Sequence, residues 1–484
     1  MTTSAASTVI PHQLFIAGTW RDASNGANFD VLDPSNGGVI TSVADATVDD
    51  ACAAVDAAEA AGPAWAATAP RTRAAILLRA HEVMVERSDD IAALIVRENG
   101  KAWADAEGEV AYAAEFFRWY AEETPRIGGH LQTAPNGDKR IIELHQPIGT
   151  AVLVTPWNFP AAMATRKIAP ALAAGCPVVL KPAAETPLTA LVIAQILAEV
   201  GVPDGVVNVV PTTQAAGVVR AMLEHPATRK LSFTGSTQVG RILLRGAAEN
   251  ILSVSMELGG NAPLLVFDDA DIDTAIEGAM IAKMRNGGQS CIAANRLFVQ
   301  SGVYDEFARR LSAAMAGLAM GGGMDKTNEV GAMIHHGAVS EMTELVSRSV
   351  GAGASVATGG QAPCGPGAFY PPTVLTGVED GNPILEHEIF GPIAPLVRFE
   401  SEEEAVTRAN ATPFGLAAYV FTTDLARALR ISEKLCAGMV GVNRGLISDP
   451  AAPFGGVKHS GLGREGGDEG IHEFLETKYV AVDW

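Results

Sequence analysis

One cysteine stands among residues that leave it room to react. Cys291 lies in the run KMRNGGQSCIAANRLF, rich in small and amide side chains, with Arg285 and Arg296 on either side. Small neighbours admit a substrate beside the sulfur, and nearby positive charge favours the thiolate, the nucleophilic form. The plainer alternative is a buried cysteine acting as a small apolar side chain, as most free cysteines do. Glu257, in MELGG, follows an apolar run. A carboxyl in apolar surroundings keeps its proton to higher pH and can serve as a general base near neutrality; otherwise Glu257 caps a turn. Asn158, between Trp157 and Phe159, either offers its amide N–H to a developing oxyanion or closes an Asx turn. Alone, each residue takes the plainer reading. Thiol, base and amide donor beside a nucleotide site point instead to capture of a carbonyl, hydride transfer and hydrolysis of a thioester.

Such residues need a scaffold that gathers them. Apolar runs at 151–155, 178–180, 206–210 and 230–233 alternate with helical segments at 161–174, 187–200, 214–224 and 238–249. Unbroken apolar strands separated by helices predict a doubly wound parallel sheet, covered on both faces. Ligands then sit beyond the carboxyl ends of the strands. Those ends carry Thr155 to Phe159, Lys181-Pro182, Pro211-Thr212 and Thr234-Gly235-Ser236. The last departs from the usual G-x-G-x-x-G, yet it is a glycine turn opening a helix whose amides suit a pyrophosphate. Upstream, 14–40 reads as short strands with tight turns, and 49–101 as alanine-rich helix ending at Asn99-Gly100. A helix over 102–124 carries an aromatic stripe (Trp103, Tyr112, Phe116, Phe117, Trp119, Tyr120) that reads as structural. A second α/β unit runs from about 257 through Cys291 to about 442. A turn-rich stretch at 453–463 leads to a C-terminal segment whose residues 479–482 read as an edge strand, suited to pairing with another subunit.

Bulk properties narrow the class. A chain of 484 residues divides into two or three structural units. A net charge of −20 argues against a nucleic-acid partner. It also means that an anionic substrate must be held by local arginines. The N-terminus has neither a basic region nor an apolar region of secretory type, and no apolar run is long enough to span a bilayer. The five cysteines are scattered, without a CxxC pair or a His/Cys cluster of metal-ligand spacing. A soluble, cytoplasmic enzyme without a metal is expected.

The motifs TPWNFPAAMATRKIAPALAAGCPVVLKP, LSFTGSTQVGR, MELGGNAPLLVFDDADID, GGQSCIAANR, EIFGPIAPL and PFGGVKHSGLGRE together resemble the aldehyde dehydrogenase superfamily, in order and over nearly the whole chain. The resemblance implies a cofactor-binding domain at 1–127 and 148–256 and a catalytic domain at 257–446. It implies an oligomerisation element at 128–147 and 464–484, and a segment returning to the active site at 447–463. It makes Cys291 the nucleophile and Glu257 the base for the deacylating water, with Asn158 and the Cys291 backbone N–H forming the oxyanion hole. NAD or NADP would be held by Thr155, Trp157, Lys181, Ala184, Gly235, Ser236, Leu258, Glu388 and Phe390. Glu465 resembles the second glutamate assigned to proton relay.

Within the superfamily the chain looks like the succinate-semialdehyde dehydrogenase branch, because Arg166, Arg285 and Ser448 match the residues that hold the distal carboxylate there. Two guanidiniums can clamp a carboxylate bidentately; alternatively, either pairs with a structural acid. Ala293 stands where some relatives carry a second cysteine, so no redox switch is expected. Ala184 stands where NAD-preferring relatives carry a glutamate for the adenosine 2′-hydroxyl, so NADP use is plausible. The expected enzyme oxidises succinate semialdehyde or a similar ω-carboxylated aldehyde as a homodimer or homotetramer. Glutarate semialdehyde or a neutral aldehyde is the alternative substrate. A cofactor-independent esterase is the alternative of a different class, and a non-catalytic structural protein a third.

Overall fold

In a computed structural model the described residues are 10–483. The reading of the first residues as lacking a secretory signal, and the inclusion of Trp484 in the C-terminal segment, lie outside them. An eight-stranded sheet runs in the order Gly461–Leu462, Ser253–Glu257, Thr228–Thr234, Thr150–Val154, Val178–Lys181, Val207–Val209, Leu14–Ile16, Thr19–Arg21. Its five inner strands are parallel, and the short strands at both edges are antiparallel. The chain starts at Thr150–Val154, moves outward to Val207–Val209, then returns to the other side of Thr150–Val154 with Thr228–Thr234. Strand order therefore reverses at Thr150–Val154, which opens a crevice at the carboxyl ends of these two strands. The loop bearing Asn158 and the turn bearing Gly235 leave from that point.

Local sequence sets the helices around this sheet. Pro160 occupies the first turn of Pro160–Ala174, where its missing N–H costs nothing, and Gly175 closes the helix with φ 97°. Every residue of that helix is buried, which its run of alanines allows. The alanine-rich stretch from 49 resolves into Val48–Ala67, Pro70–Glu86 and Ser88–Asn99. Pro70 starts the second of these, and Gly100 ends the third with φ 86°. The aromatic helix is Trp103–Glu123, with Phe116, Phe117 and Tyr120 fully buried.

A second sheet of seven strands takes Ala262–Val266 and Ala294–Gln300 as its centre. It is parallel except for Ser355–Thr358 at one edge. A third, three-stranded sheet pairs Leu475–Val482 with Arg140–Pro147 and His130–Thr133, all antiparallel. Its strands are mostly half-buried or exposed. No helix among the described residues is long and apolar enough to cross a membrane.

Candidate active site

The crevice deepens into a cavity of ≈ 240 Å³ between the two large sheets. Cys291, Glu257 and Asn158 line it together, although they come from three distant parts of the chain. Trp157, Gly235, Ser236, Leu258, Glu388 and Phe390 line it too, as do Arg166, Arg285 and Ser448. Thr155, Lys181 and Ala184 are not part of its wall. They lie where Thr150–Val154 and Val178–Lys181 end, and the Thr155 N–H donates to the Lys181 carbonyl at 3.2 Å.

The thiol is carried by a tightly wound turn. Asn286, Gly287 and Gly288 all take left-handed backbone, with φ of 53°, 58° and 76°, which the Asn-Gly-Gly sequence makes inexpensive. Gln289 then anchors the loop by accepting from the Ile334 N–H at 3.0 Å. Beyond the cysteine, the Tyr419 hydroxyl donates to the Ile292 carbonyl at 2.8 Å. Gly260 packs so closely that a side chain there would strike the Cys291 carbonyl.

The expectation that flanking arginines hold a resting thiolate is corrected. Arg296 donates to the carbonyls of Asn261, Arg408 and Ala409, so its charge serves backbone carbonyls and not the sulfur. Burial pushes the Cys291 thiol up to about 12, against the opposing pull of Arg166. The resting form is the protonated thiol.

Two carboxyls behind it are driven apart. Neither oxygen of Glu257 has a hydrogen-bond partner among the described residues. Burial, with the negative charge of Glu465 added, lifts its carboxyl well above the usual range. Burial also opposes ionisation of Glu465, but Lys167 and Arg166 outweigh it and hold that carboxyl low. Arg166 Nε lies 2.6 Å from Glu465 Oε2, Lys167 Nζ donates to Oε1, and Ser232 Oγ donates to the same oxygen at 3.3 Å. The two carboxyls are pushed in opposite directions, a division suited to acid–base work.

Asn158 is held at both ends. Its Nδ2 donates to the Gln289 carbonyl at 3.1 Å, which ties it to the cysteine loop. Its own carbonyl accepts from Lys101 Nζ at 2.8 Å and from Asn286 Nδ2 at 2.9 Å.

The two arginines expected at the far end differ. Arg166 is occupied by Glu465, with its guanidinium 4.1 Å from the Phe454 ring centre. Arg285 lies 4.9 Å from the Phe159 ring centre and 5.7 Å from that of Tyr112. Its only hydrogen bond among the described residues is from Nη1 to Ser448 Oγ, at 3.5 Å. No carboxylate among the described residues pairs with it at ion-pair distance. Tyr112, read from sequence as purely structural, lines the cavity beside it; helical spacing gives the face of a residue but not what that face meets.

On the nucleotide side, the Gly235 N–H donates to the Glu257 carbonyl at 3.0 Å. Ser236 caps Thr237–Glu249 by accepting from the Val239 N–H at 3.3 Å. Gly240 lets Leu258 press against that helix, since a side chain there would collide with it. Glu388 accepts from the Gly260 N–H at 3.0 Å, and burial pushes its carboxyl up to about 7. Trp157 and Phe390 meet edge to face, with centroids 5.4 Å apart. A helix N-terminus, a close glycine turn, an aromatic slot and a carboxyl for a ribose are what a nicotinamide dinucleotide requires, and the donor set fits one.

Sequence reading missed Lys101, Asp105 and Glu109. The signal was present: with Tyr112 they recur at helical spacing around the start of one helix, a pattern given no role beside the aromatic stripe.

A thiol, a carboxyl raised by burial and an amide donor at the switch point of a doubly wound sheet define a thiol-dependent oxidoreductase of the dinucleotide-binding class. The chain belongs to the aldehyde dehydrogenase family, which it matches over residues 20–480. It is 52% identical over 444 residues to a succinate-semialdehyde dehydrogenase of Paenarthrobacter nicotinovorans, covering 92% of this chain and 99% of the relative. It is 48% identical over 471 residues to a glutarate-semialdehyde dehydrogenase of Pseudomonas putida, covering 97% of each. A crystal structure of an E. coli NADP dependent enzyme superposes with a TM-score of 0.98 at 48% identity, covering 99% of this chain and 100% of that one.

Proposed function

We propose that the protein oxidises succinate semialdehyde, or a similar ω-carboxylated aldehyde, to the acid with NAD+ or NADP+. The observation that carries this reading is Arg285. It is a guanidinium at the cavity wall beside Ser448, with no carboxylate at ion-pair distance among the described residues, while its neighbour Arg166 is paired with Glu465. A chain of net charge −20 gains little by leaving such a cation in a pocket unless an anion comes to it. The half-buried Ala184, which presents no carboxylate to a 2′-phosphate, supports NADP use.

In this reading Cys291 Sγ attacks the aldehyde carbon as its proton passes to solvent water. The oxygen that gains charge is met by Asn158 Nδ2 and the Cys291 backbone N–H. A nicotinamide dinucleotide supplies the hydride acceptor. The resulting thioester is attacked by water whose proton passes to Glu257, and the acid departs with the thiol restored. Across the cycle the aldehyde loses two electrons, which the dinucleotide gains as one hydride; water supplies the second oxygen, and two protons are released with the carboxylate. Glu465 stays ionised between Lys167 and Arg166, so its role is to set the field at Glu257.

The unit division expected from sequence, with a dinucleotide side before residue 257 and a thiol side after it, is retained in this reading. So is a cytoplasmic homodimer or homotetramer. The exposed Leu131 and Tyr479 on the three-stranded sheet support pairing there, which sedimentation would check. The deciding experiment assays a panel of semialdehyde acids and neutral aldehydes with NAD+ and NADP+ separately. Faster turnover of neutral aldehydes, or ester hydrolysis without any aldehyde oxidation, would overturn the proposal.

A further inference from the structure

Around the start of the aromatic helix lies a buried charge pair that stands behind the cavity wall without lining it. Lys101 Nζ donates to Glu109 Oε2 at 2.6 Å, and both side chains are wholly buried. Each spends its remaining bonding capacity on the segment holding Asn158. Lys101 donates to the Asn158 carbonyl at 2.8 Å. Glu109 Oε1 accepts from the N–H groups of Ala161 and Ala162, at 2.8 and 3.2 Å. These are the first-turn amides of the helix Pro160–Ala174, which have no partner within that helix.

The carbonyl held by Lys101 also accepts from Asn286, whose own N–H donates to Asp105 at 3.0 Å. The helix Trp103–Glu123 and the residues just before it thus reach the Asn158 segment through Glu109 and Lys101, and the cysteine turn through Asp105. A buried ion pair is weak evidence for stability, because desolvation offsets much of the attraction. It is a good way to hold two segments in one register.

We propose that Lys101, oriented by Glu109, is a positioning residue for the oxyanion donor Asn158. The inference rests on the assignment of Asn158 in the proposed function. Lys101 fixes the backbone carbonyl of Asn158, and Glu109 fixes the helix that begins beside it. The side-chain amide is thereby left only its own torsions with which to stray from the thiol. Donors to a developing oxyanion act through geometry that must be in place before reaction, and a displacement of about 1 Å can cost about a hundredfold in rate.

The test uses the full-length protein with the paired substitution Lys101→Met, Glu109→Gln. Changing both members avoids a lone buried charge, and glutamine keeps the acceptor for Ala161 and Ala162. The expected result is a fall in kcat of about tenfold or more, by the same factor for succinate semialdehyde and butanal. KM for each aldehyde, dinucleotide affinity measured by fluorescence, and unfolding temperature should stay near their starting values. If that pair does not fold, Lys101→Gln with Glu109→Gln, which keeps a shorter neutral donor and leaves no lone buried charge, should show a smaller fall in kcat with the same unchanged KM. Unchanged kcat overturns the inference. So does a loss in which kcat, dinucleotide affinity and unfolding temperature decline together, the mark of a purely structural pair. Because the readout is a ratio of variant to unaltered protein, a preference for neutral aldehydes would refute the proposed substrate and leave this test intact.

Discussion

Replacing Arg285 by methionine removes the cation while keeping much of the stem that lies against Phe159 and Tyr112. A unit charge about 4 Å from a carboxylate is worth about 4 kcal/mol at an effective dielectric constant of about 20. Removing both ions from water takes back part of that, and a charge-assisted hydrogen bond nets about 1.5–3 kcal/mol. Arg166 cannot replace the lost cation without releasing Glu465, which it meets at 2.6 Å. A loss of about 2–3 kcal/mol is about 30- to 150-fold in kcat/KM. Arg285→Met should therefore lower kcat/KM for succinate semialdehyde by that factor, mainly through KM. For butanal, which carries a methyl group in place of the carboxylate, the change should stay within about threefold. Initial rates followed by absorbance of the reduced nicotinamide give both numbers. Equal losses on the two aldehydes would refute the carboxylate role and leave Arg285 as a support for the cysteine turn.

Other consequences separate the remaining groups. Arg166→Met takes one of two cations from a buried carboxylate. It should cost about 3–5 kcal/mol of stability, seen as an unfolding temperature lowered by several degrees, and should impair both aldehydes alike. Glu257→Gln should depress steady-state turnover by about 10²- to 10⁴-fold, while a rapid-mixing experiment still shows reduced nicotinamide forming in the first turnover. Burial raises both the Cys291 thiol and the Glu257 carboxyl, and each must lose its proton to act. The rate should accordingly rise with pH from the acid side and fall as pH is lowered; a pH profile that peaks in acid would contradict this. Ala184→Glu places a carboxylate at the carboxyl end of Val178–Lys181 and should cut kcat/KM with NADP+ by about tenfold or more relative to NAD+, as measured with each cofactor in turn.

Much of this was legible in the chain because its causes are local. Pro160 and Gly175 punctuate a helix, Asn286-Gly287-Gly288 permits a left-handed turn, and unbroken apolar strands require a sheet covered on both faces. These features placed Asn158 and Gly235 at strand ends, and motif resemblance brought Glu257 and Cys291 to them. Residue type and order therefore determined the fold class and the family.

The state of each charge was decided only by tertiary structure. Nothing near Arg166, Arg285 or Arg296 in sequence distinguishes an arginine held by Glu465 from one beside Ser448 or one given over to the Asn261, Arg408 and Ala409 carbonyls. The raised carboxyl of Glu257 depends on burial and on Glu465, and the thiol expected to be ionised is protonated because burial outweighs the cation near it. Lys101 and Glu109 acquire a role only when the helix Pro160–Ala174 and the segment before it are laid against them. Electrostatic energy depends on the distance and burial of groups far apart along the chain, and only the folded molecule sets those.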